Sequence, residues 1–334
     1  MCSTHGSDSV VSRNEGPVPR HGIRLSAANR SDFGVRTMVA EHGLHHSGLF
    51  TDAALIELLD RCPRQQVHAL TMGNDVTRPE QNRLALHEGV SGAELLRAVK
   101  NGRLWLNITR VDRADQRYRQ LIDELYAELA TQVPGFVPDS SQGTLLVSSP
   151  HALVYYHVDG PATALWHLRG RKRVWVYPAL DRRFAQREAL EDILAGVRHE
   201  YLPFDPAFDD AATVVDLEPG QWMAWAQNAP HRVTNGDSLN VSLSTEHFTQ
   251  RSRWRARVYG ANRFFRLYWG LSSLSTRERG AGAVTKAVVH RLARWAGLDP
   301  TQPKRHTPTL RVNPDAPGGV SALEPRNAPA QAST

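Results

Sequence analysis

At 334 residues, with 41% hydrophobic and 22% charged side chains, the chain can bury a large core and has an ordinary globular composition. No run approaches the roughly 20 apolar residues of a membrane span, and the polar N-terminus lacks the apolar stretch of a signal peptide. The two cysteines, Cys2 and Cys62, make a disulfide framework improbable, so the sequence predicts a cytoplasmic protein that does not enter membranes.

The first third of the chain reads as a leader followed by mixed structure. Residues 1–22 are expected to be a disordered leader, and residues 23–135 a helical and mixed region that braces a β-sheet core. Within it, apolar spacing or capping signals predict three helices and alternation predicts one strand. The helices are expected over 51–62, 91–101 (opened by a Ser-x-x-Glu capping box) and 115–132, and the strand over 103–109.

The segment 136–250 contains eight short apolar stretches separated by turn signals: GTLLVSS, ALVYYH, TALWHL, KRVWVY, TVVDL, QWMAWA, HRVTN and LNVSLST. Eight strands with this spacing are typical of a double-stranded β-helix, the jelly-roll arrangement. The expected fold class is therefore mainly β with helical additions. A charged insertion between Tyr177 and Ala212 is expected to line the mouth of the barrel, where it would influence the choice of substrate.

The C-terminal part is predicted to be helical and basic over 251–302 and a flexible tail over 303–334. Between 251 and 310 there are thirteen Lys and Arg against two Asp and Glu, with aromatic residues interleaved. This pattern is compatible with nucleic-acid binding, but an interface helix with arginine stems packed on apolar surface is favoured, since no nucleic-acid motif is recognised. The amphipathic stretch Val284–Leu298 is expected to make a homodimer contact or a core contact.

A metal site is indicated by His157-Val158-Asp159 on one of the predicted strands. Residues two apart on a strand project to the same side, so an imidazole and a carboxylate can reach one ion together. His231, at the start of a later strand, would complete a set of two histidines and one carboxylate. Such a facial triad suits non-haem Fe(II), because it leaves three coordination positions open for substrates and O2.

The residues around this site resemble a known family. Lys172 follows His157 by fifteen residues, and the order His-x-Asp, strand, Gly-x-Lys, strand, distal His is similar to the JmjC and cupin-like 2-oxoglutarate oxygenases. The local spacing is especially similar to the asparaginyl hydroxylase group that acts on hypoxia-inducible factor. The resemblance covers about residues 100–250, and its motifs are specific only in combination.

The resemblance implies a set of site residues. His157, Asp159 and His231 would bind Fe(II), and Lys172 would pair with the distal carboxylate of the cosubstrate 2-oxoglutarate. The cosubstrate pocket is further expected to include Thr163, Leu165, Asn240 and Asn107. Two positions depart from the family, because Trp105 stands where a cosubstrate-binding tyrosine is found and Val154 stands where the asparaginyl hydroxylase group has a hydroxyl residue. Lys172 would then carry more of the cosubstrate binding.

The resemblance thus implies an Fe(II)- and 2-oxoglutarate-dependent dioxygenase that uses O2 to hydroxylate, or to demethylate through hydroxylation, a protein side chain or a small metabolite. Three alternatives remain open. A cupin-fold protein could bind another metal without redox chemistry, or the domain could be a non-catalytic regulatory module. A nucleic-acid-associated demethylase would need salt-sensitive binding through the basic C-terminal segment.

Overall fold

The computed structural model describes residues 20–272, 274–298 and 308–323. Before the barrel, the chain alternates helices with short strands, and the predicted helices and strand are confirmed. The Ser91–Glu94 capping box is present at the start of the third helix. The elements of this region are α1 (Ala27–Asp32), β1 (Met38–Glu41), α2 (Asp52–Arg61), β2 (Val67–Thr71), β3 (Arg83–Leu86), α3 (Gly92–Asn101), β4 (Leu104–Ile108), α4 (Val111–Ala114) and α5 (Gln116–Gln132).

Eight strands follow, and each corresponds to one of the predicted stretches. They are β5 (Ser140–Ser148), β6 (Leu153–His157), β7 (Ala162–Arg169), β8 (Lys172–Val176), β9 (Thr213–Leu217), β10 (Gln221–Ala224), β11 (His231–Asn235) and β12 (Asn240–Phe248). They form two antiparallel layers, with the order β5-β12-β7-β10 in one and β6-β11-β8-β9 in the other. Successive strands alternate between the layers, except that β8 and β9 are neighbours in the same layer. The prediction of a double-stranded β-helix is confirmed.

The N-terminal region extends the larger layer at both of its edges. Strand β1 pairs with β10 on one side, and β4, β2 and β3 continue the sheet beyond β5 on the other. The helices pack on the outer face of this sheet, where Trp166 and Trp222 stack with ring centroids 4.3 Å apart in the main apolar core. The N-terminal region therefore flanks the barrel at two edges, and the inner face of the sheet is left for the site.

The chain after β12 forms two helices, α7 (Gln250–Trp269) and α8 (Ala281–Trp295), and two short strands, β13 (Leu310–Val312) and β14 (Val320–Ala322). Strand β13 pairs with β3 and β14. The prediction of a flexible tail is therefore wrong for residues 308–323, because Leu310 and Val312 alternate into the core, a signal that the Pro- and Gly-rich composition obscured. The rest of that tail, 303–307 and 324–334, lies outside the described residues.

Two other predicted segments can be placed only in part. Residues 1–19 of the expected leader lie outside the described residues, whereas His21 already bonds Glu124 on α5, so the predicted boundary at residue 22 is too late. The insertion between β8 and β9 contains α6 (Arg187–Leu194), which packs with α7. No helix of the described ranges has the length and apolar content needed to cross a bilayer.

Gly170 makes the turn between β7 and β8 that delivers Lys172 to the barrel interior. Its φ is +81°, and a Cβ there would lie 2.6 Å from both the Asn240 Nδ2 and the Leu239 carbonyl oxygen. We expect Gly170→Ala to lower the free energy of unfolding by at least ~2 kcal/mol, through backbone strain and this clash. Denaturant unfolding beside Gly48→Ala, where nothing lies within 4 Å, measures the effect; equal stability of the two variants would contradict it.

Candidate metal centre

Strand pairing places the two predicted histidine ligands next to each other. His231 opens β11 directly opposite His157, the last residue of β6, and their ring centroids are 4.0 Å apart. A register irregularity between His231 and Val233 shifts the pairing just beyond this point. His231 also lies against the Trp225 ring at 4.6 Å, so its imidazole is buried while one edge faces His157.

Asp159 completes the group from the loop after β6. Its backbone carbonyl accepts a hydrogen bond of 2.8 Å from the Asn228 amide, which fixes the loop. Its carboxylate oxygens lie 3.8 Å from His157 Nε2 and 3.5 Å from His231 Nε2. The three donor atoms fall within 4.8 Å of one another. The group can hold a metal ion.

Hydrogen bonds on the far side of each imidazole set the tautomer. His157 Nδ1 donates to the Tyr155 carbonyl at 2.7 Å, and His231 Nδ1 donates to the Ala229 carbonyl at 3.1 Å. Each Nε2 therefore carries its lone pair toward Asp159. Burial, followed by the neighbouring His157, lowers the pKa of His231 to about 4, which keeps the neutral form. Two neutral imidazoles and one carboxylate fit a divalent first-row metal such as Fe(II).

A cavity of about 780 Å³ opens between the two layers beside this triad. Its walls come from β6, β8 and β11 on one side and from β7, β12, β5, β4, β2 and β3 on the other, so it extends well beyond the barrel axis under the N-terminal strands. Its volume is in the range of small-molecule sites. The predicted residues Lys172, Thr163, Leu165 and Asn107 all line it.

Lys172 is the most unusual of these residues. It is only 5% exposed, and burial lowers the pKa of its ammonium group to about 8. Across the described part of the chain, no hydrogen-bond or ion-pair partner of Lys172 is present, although buried ammonium groups are normally paired. The hydroxyl of Thr163 and the side-chain oxygen of Asn107 are also buried without partners. The cavity therefore offers unsatisfied polar groups to a ligand.

Asn240 does not join this group. It is fully buried at the start of β12, donates to the Ser238 carbonyl at 3.0 Å and packs under Gly170, and it is not among the residues that line the cavity. His167 supports the same turn, since its Nε2 donates to the Gly170 carbonyl and its Nδ1 accepts from Ser242. His167 holds the loop before Lys172, and neither side chain lines the cavity.

Sequence reasoning missed several cavity residues. Glu246 projects from β12 opposite Thr163, and strand alternation could have found it. Four consecutive residues of the insertion, 198–201, also line the cavity. They are held by hydrogen bonds from Val158 N to the Glu200 carbonyl and from Leu202 N to the Tyr156 carbonyl. No pattern in the sequence predicts this docking, although the insertion was expected at the barrel mouth.

Carboxyl groups in the cavity influence one another. Glu200 is an exposed residue that lines the cavity, and the protein atoms around its carboxyl still desolvate it. This burial, followed by Asp159 and Glu246, raises the pKa of Glu200 to about 8. Burial and Asp159 likewise raise the pKa of Glu246 above its usual range. Burial and the neighbouring carboxylates therefore both favour the protonated forms of these two carboxyls.

No family model matches the sequence, and no curated protein matches it. Solved structures to which this chain is similar include E. coli ycfD, with 16% identity and a TM-score of 0.48 over 82% of this chain and 68% of that chain. Another is Escherichia coli ribosomal oxygenase YcfD, with 14% identity and a TM-score of 0.47 over 87% and 74%. YcfD in complex with cobalt and 2-oxoglutarate has 14% identity and a TM-score of 0.45 over 83% and 70%. The barrel itself is assigned from the strand order and register of this chain.

Proposed function

We propose that this protein is an Fe(II)- and 2-oxoglutarate-dependent dioxygenase that hydroxylates, or demethylates through hydroxylation, a protein side chain or a small metabolite. The observation that carries the proposal is the unpaired, buried ammonium of Lys172 in the same cavity as the His157, Asp159 and His231 triad. A metal-binding domain without an anionic cosubstrate has no use for such a cation, which is costly to bury alone.

The triad and Lys172 would bind different groups, at two ends of the cavity. The triad would hold Fe(II), which supplies the activation of O2 coupled to oxidation of 2-oxoglutarate to succinate and CO2. Lys172 would receive the distal carboxylate, with the unpaired hydroxyl of Thr163 as a hydrogen-bond donor and Leu165 as an apolar wall. The buried Nε2 atoms and the enclosing strands orient the substrate and exclude water.

The separation of the two ends supports a diacid. On β11, His231 pairs with Val176 of β8, and Asn235 pairs with Lys172. Four residues of strand span about 13 Å, so the ammonium group is anchored well away from the triad along the cavity. The lysine side chain and an elongated ligand with a negative group at its far end can together bridge that separation. A single small anion could not contact both.

The test is succinate formation from 2-oxoglutarate by protein loaded anaerobically with Fe(II) and then exposed to O2. Cosubstrate binding is recorded in the same samples, because turnover without substrate is slow. Binding and turnover are expected. If the metal-loaded protein neither binds nor consumes 2-oxoglutarate, the alternative holds, namely a non-redox or non-catalytic metal-binding protein of the same fold with a regulatory role.

Nucleic acid is not a favoured partner, because most of the arginines of α7 form ion pairs within the protein. Arg255 pairs with Glu278 and Arg266 pairs with Glu191 and Asp192, while Arg253 lies on Asp139. Ion pairs of this kind leave less basic surface for phosphates than the sequence composition indicates. The location we infer is the cytoplasm, in keeping with the free, buried thiol of Cys62.

We further propose a homodimer through the C-terminal helices. One face of α8 packs its alanines on the protein, whereas the opposite face exposes Val284, Val288, Leu292 and Trp295 by 52%, 52%, 57% and 85%. Leu267, Tyr268 and Trp269 at the end of α7 add further exposed apolar surface. A contiguous apolar stripe on a helix suits a twofold contact with a second copy.

Val288→Glu is expected to convert the dimer to a monomer, because it places a charge in the centre of this stripe. Light scattering coupled to size-exclusion chromatography measures the mass. Val35→Glu is the matched control, since Val35 is 59% exposed and lies in a turn that is distant from α8 in the sequence. This variant should have the same mass as the wild-type dimer. A monomeric wild type would refute the contact.

A further inference from the structure

The turn between β10 and β11 contacts two of the three residues of the triad. It spans residues 226–229 and is closed by a backbone hydrogen bond of 3.0 Å between its first and last residues. The Asn228 side chain donates to the Asp159 carbonyl at 2.8 Å, and the Ala229 carbonyl accepts from His231 Nδ1 at 3.1 Å. We call residues 226–229 the ligand turn. Its position influences where both ligand side chains lie.

Asp159 depends on such contacts because it lies in a loop rather than on a paired strand. Asn228 Nδ2 donates to the carbonyl of Gly160 at 3.2 Å as well as to that of Asp159. Gln227 Nε2 donates to the same Gly160 carbonyl at 3.0 Å. Two side-chain amides of the ligand turn therefore hold the backbone of the Asp159 loop.

A buried arginine of α7 contacts the oxygen side of both amides. Arg255 is 6% exposed, and its Nε pairs with Glu278. Its Nη1 donates to Gln227 Oε1 at 3.2 Å, to the Gln227 carbonyl at 3.3 Å and to Asn228 Oδ1 at 3.4 Å. These bonds are long for N–H···O contacts, so their strength comes from the charge of the donor and from three acceptors together.

This arrangement fixes the orientation of the two amides. An asparagine or glutamine amide can rotate by half a turn and exchange its oxygen for its nitrogen. With Arg255 on one side, only the orientation that turns oxygen toward the guanidinium is favourable, and the NH2 group then faces the Asp159 loop. The guanidinium presents its donors in a rigid planar fork, so the pairing of Nε with Glu278 also fixes the direction of Nη1.

We propose that Arg255 is a positioning residue for the metal centre. It orients the amides of the ligand turn, and these amides hold Asp159 and its loop where the carboxylate meets the two imidazoles. This inference rests on the proposed function, because it requires that the triad binds a metal. Groups that orient metal ligands through hydrogen bonds affect metal affinity by ~10–100-fold when they are lost.

Arg255→Met removes the donors and keeps a long apolar side chain. Anaerobic titration with Fe(II) should show an affinity at least ~10-fold weaker than that of the wild type. The visible absorption of the Co(II)-loaded protein reports the geometry of the ligands, and its bands should change. Arg251→Met is the control, since Arg251 pairs with the same Glu278 but its side chain is 73% exposed. It should retain the affinity and the spectrum of the wild type.

Asn228→Gly tests the same path without altering α7. The φ of Asn228 is +64°, which glycine adopts without strain, so the turn is kept while the amide is lost. The affinity for Fe(II) should again fall by ~10-fold. In the double variant with Arg255→Met, the loss should be smaller than the product of the two single losses, because the two residues act on the same loop.

The possible results separate this inference from the proposed function. A wild type that binds no divalent metal would overturn the function and the inference with it. If the wild type binds metal and a folded Arg255→Met variant binds it equally well, with an unchanged Co(II) spectrum, the role of Arg255 is structural and the inference alone is wrong. Melting temperatures show which variants are folded. If Arg255→Met does not fold, unchanged metal affinity in Asn228→Gly would overturn the inference.

Discussion

Lys172→Met is expected to weaken 2-oxoglutarate binding by about 100-fold, which corresponds to the loss of one charged hydrogen-bonding contact of about 3 kcal/mol. Methionine keeps the length and apolar stem of lysine but has no charge, so the cavity wall should remain intact. Calorimetric titration of the metal-loaded protein measures the dissociation constant. A variant that binds 2-oxoglutarate as tightly as the wild type would remove the main support for the proposed cosubstrate.

The same substitution is expected to stabilise the ligand-free protein. Burial lowers the pKa of Lys172 from 10.5 to about 8, so protonated Lys172 opposes folding at neutral pH by about 3 kcal/mol. Between about pH 8 and pH 10.5 the unfolded chain binds more protons at this residue than the folded chain does. Its unfavourable contribution therefore shrinks as the pH rises through that interval.

The difference in unfolding free energy between Lys172→Met and the wild type should accordingly be largest below pH 8 and decline toward pH 10. Taking the difference cancels the titration of Cys62 and of the buried tyrosines, which also respond to alkaline pH. Arg173→Met is the matched control, because Arg173 is the next residue but is half exposed and paired with Asp216. It should show neither the stabilisation nor the loss of 2-oxoglutarate binding.

The barrel could be predicted because each strand carries its own signal. Apolar stretches of four to nine residues between turns locate β5 to β12. Alternation predicted His157 and Asp159 on one side, and the two do meet, although Asp159 lies in the loop after β6. Lys172 was found from the spacing of a resembling family. These features are local in the sequence, and the structure preserves their order.

Features that depend on contacts between distant segments could not be predicted. Asn240 shares the alternation of Glu246 on β12, but it stands at the other end of the strand, where the Gly170 turn covers it. Glu200 reaches the cavity because the insertion forms hydrogen bonds along β6. The strand β13 joins β3 across more than 200 residues of chain. Alternation gives the face of a residue, whereas register and docking decide what lies opposite that face.

Asp159→Ala is expected to abolish metal binding while leaving the fold intact. Within the described ranges the carboxylate forms no hydrogen bond and lies beside the two histidine Nε2 atoms, so the free protein loses little when it is removed. Its removal also relieves repulsion with Glu200 and Glu246, whose carboxyl pKa values it raises. The melting temperature of the metal-free variant should therefore equal or exceed that of the wild type.

Loss of a direct ligand should weaken metal binding by more than the ~10–100-fold that loss of an outer hydrogen-bond partner costs. Anaerobic titration with Fe(II) measures the affinity, and succinate formation should fall in parallel. Asp210→Ala, which removes an exposed carboxylate outside the cavity, should retain both. A variant that keeps wild-type metal affinity would show that Asp159 is not a ligand, and one that unfolds would show that the residue is structural. If the Asp159→Ala variant is folded and stable but binds no metal, the role of Asp159 is metal binding, at a cost to the stability of the metal-free protein.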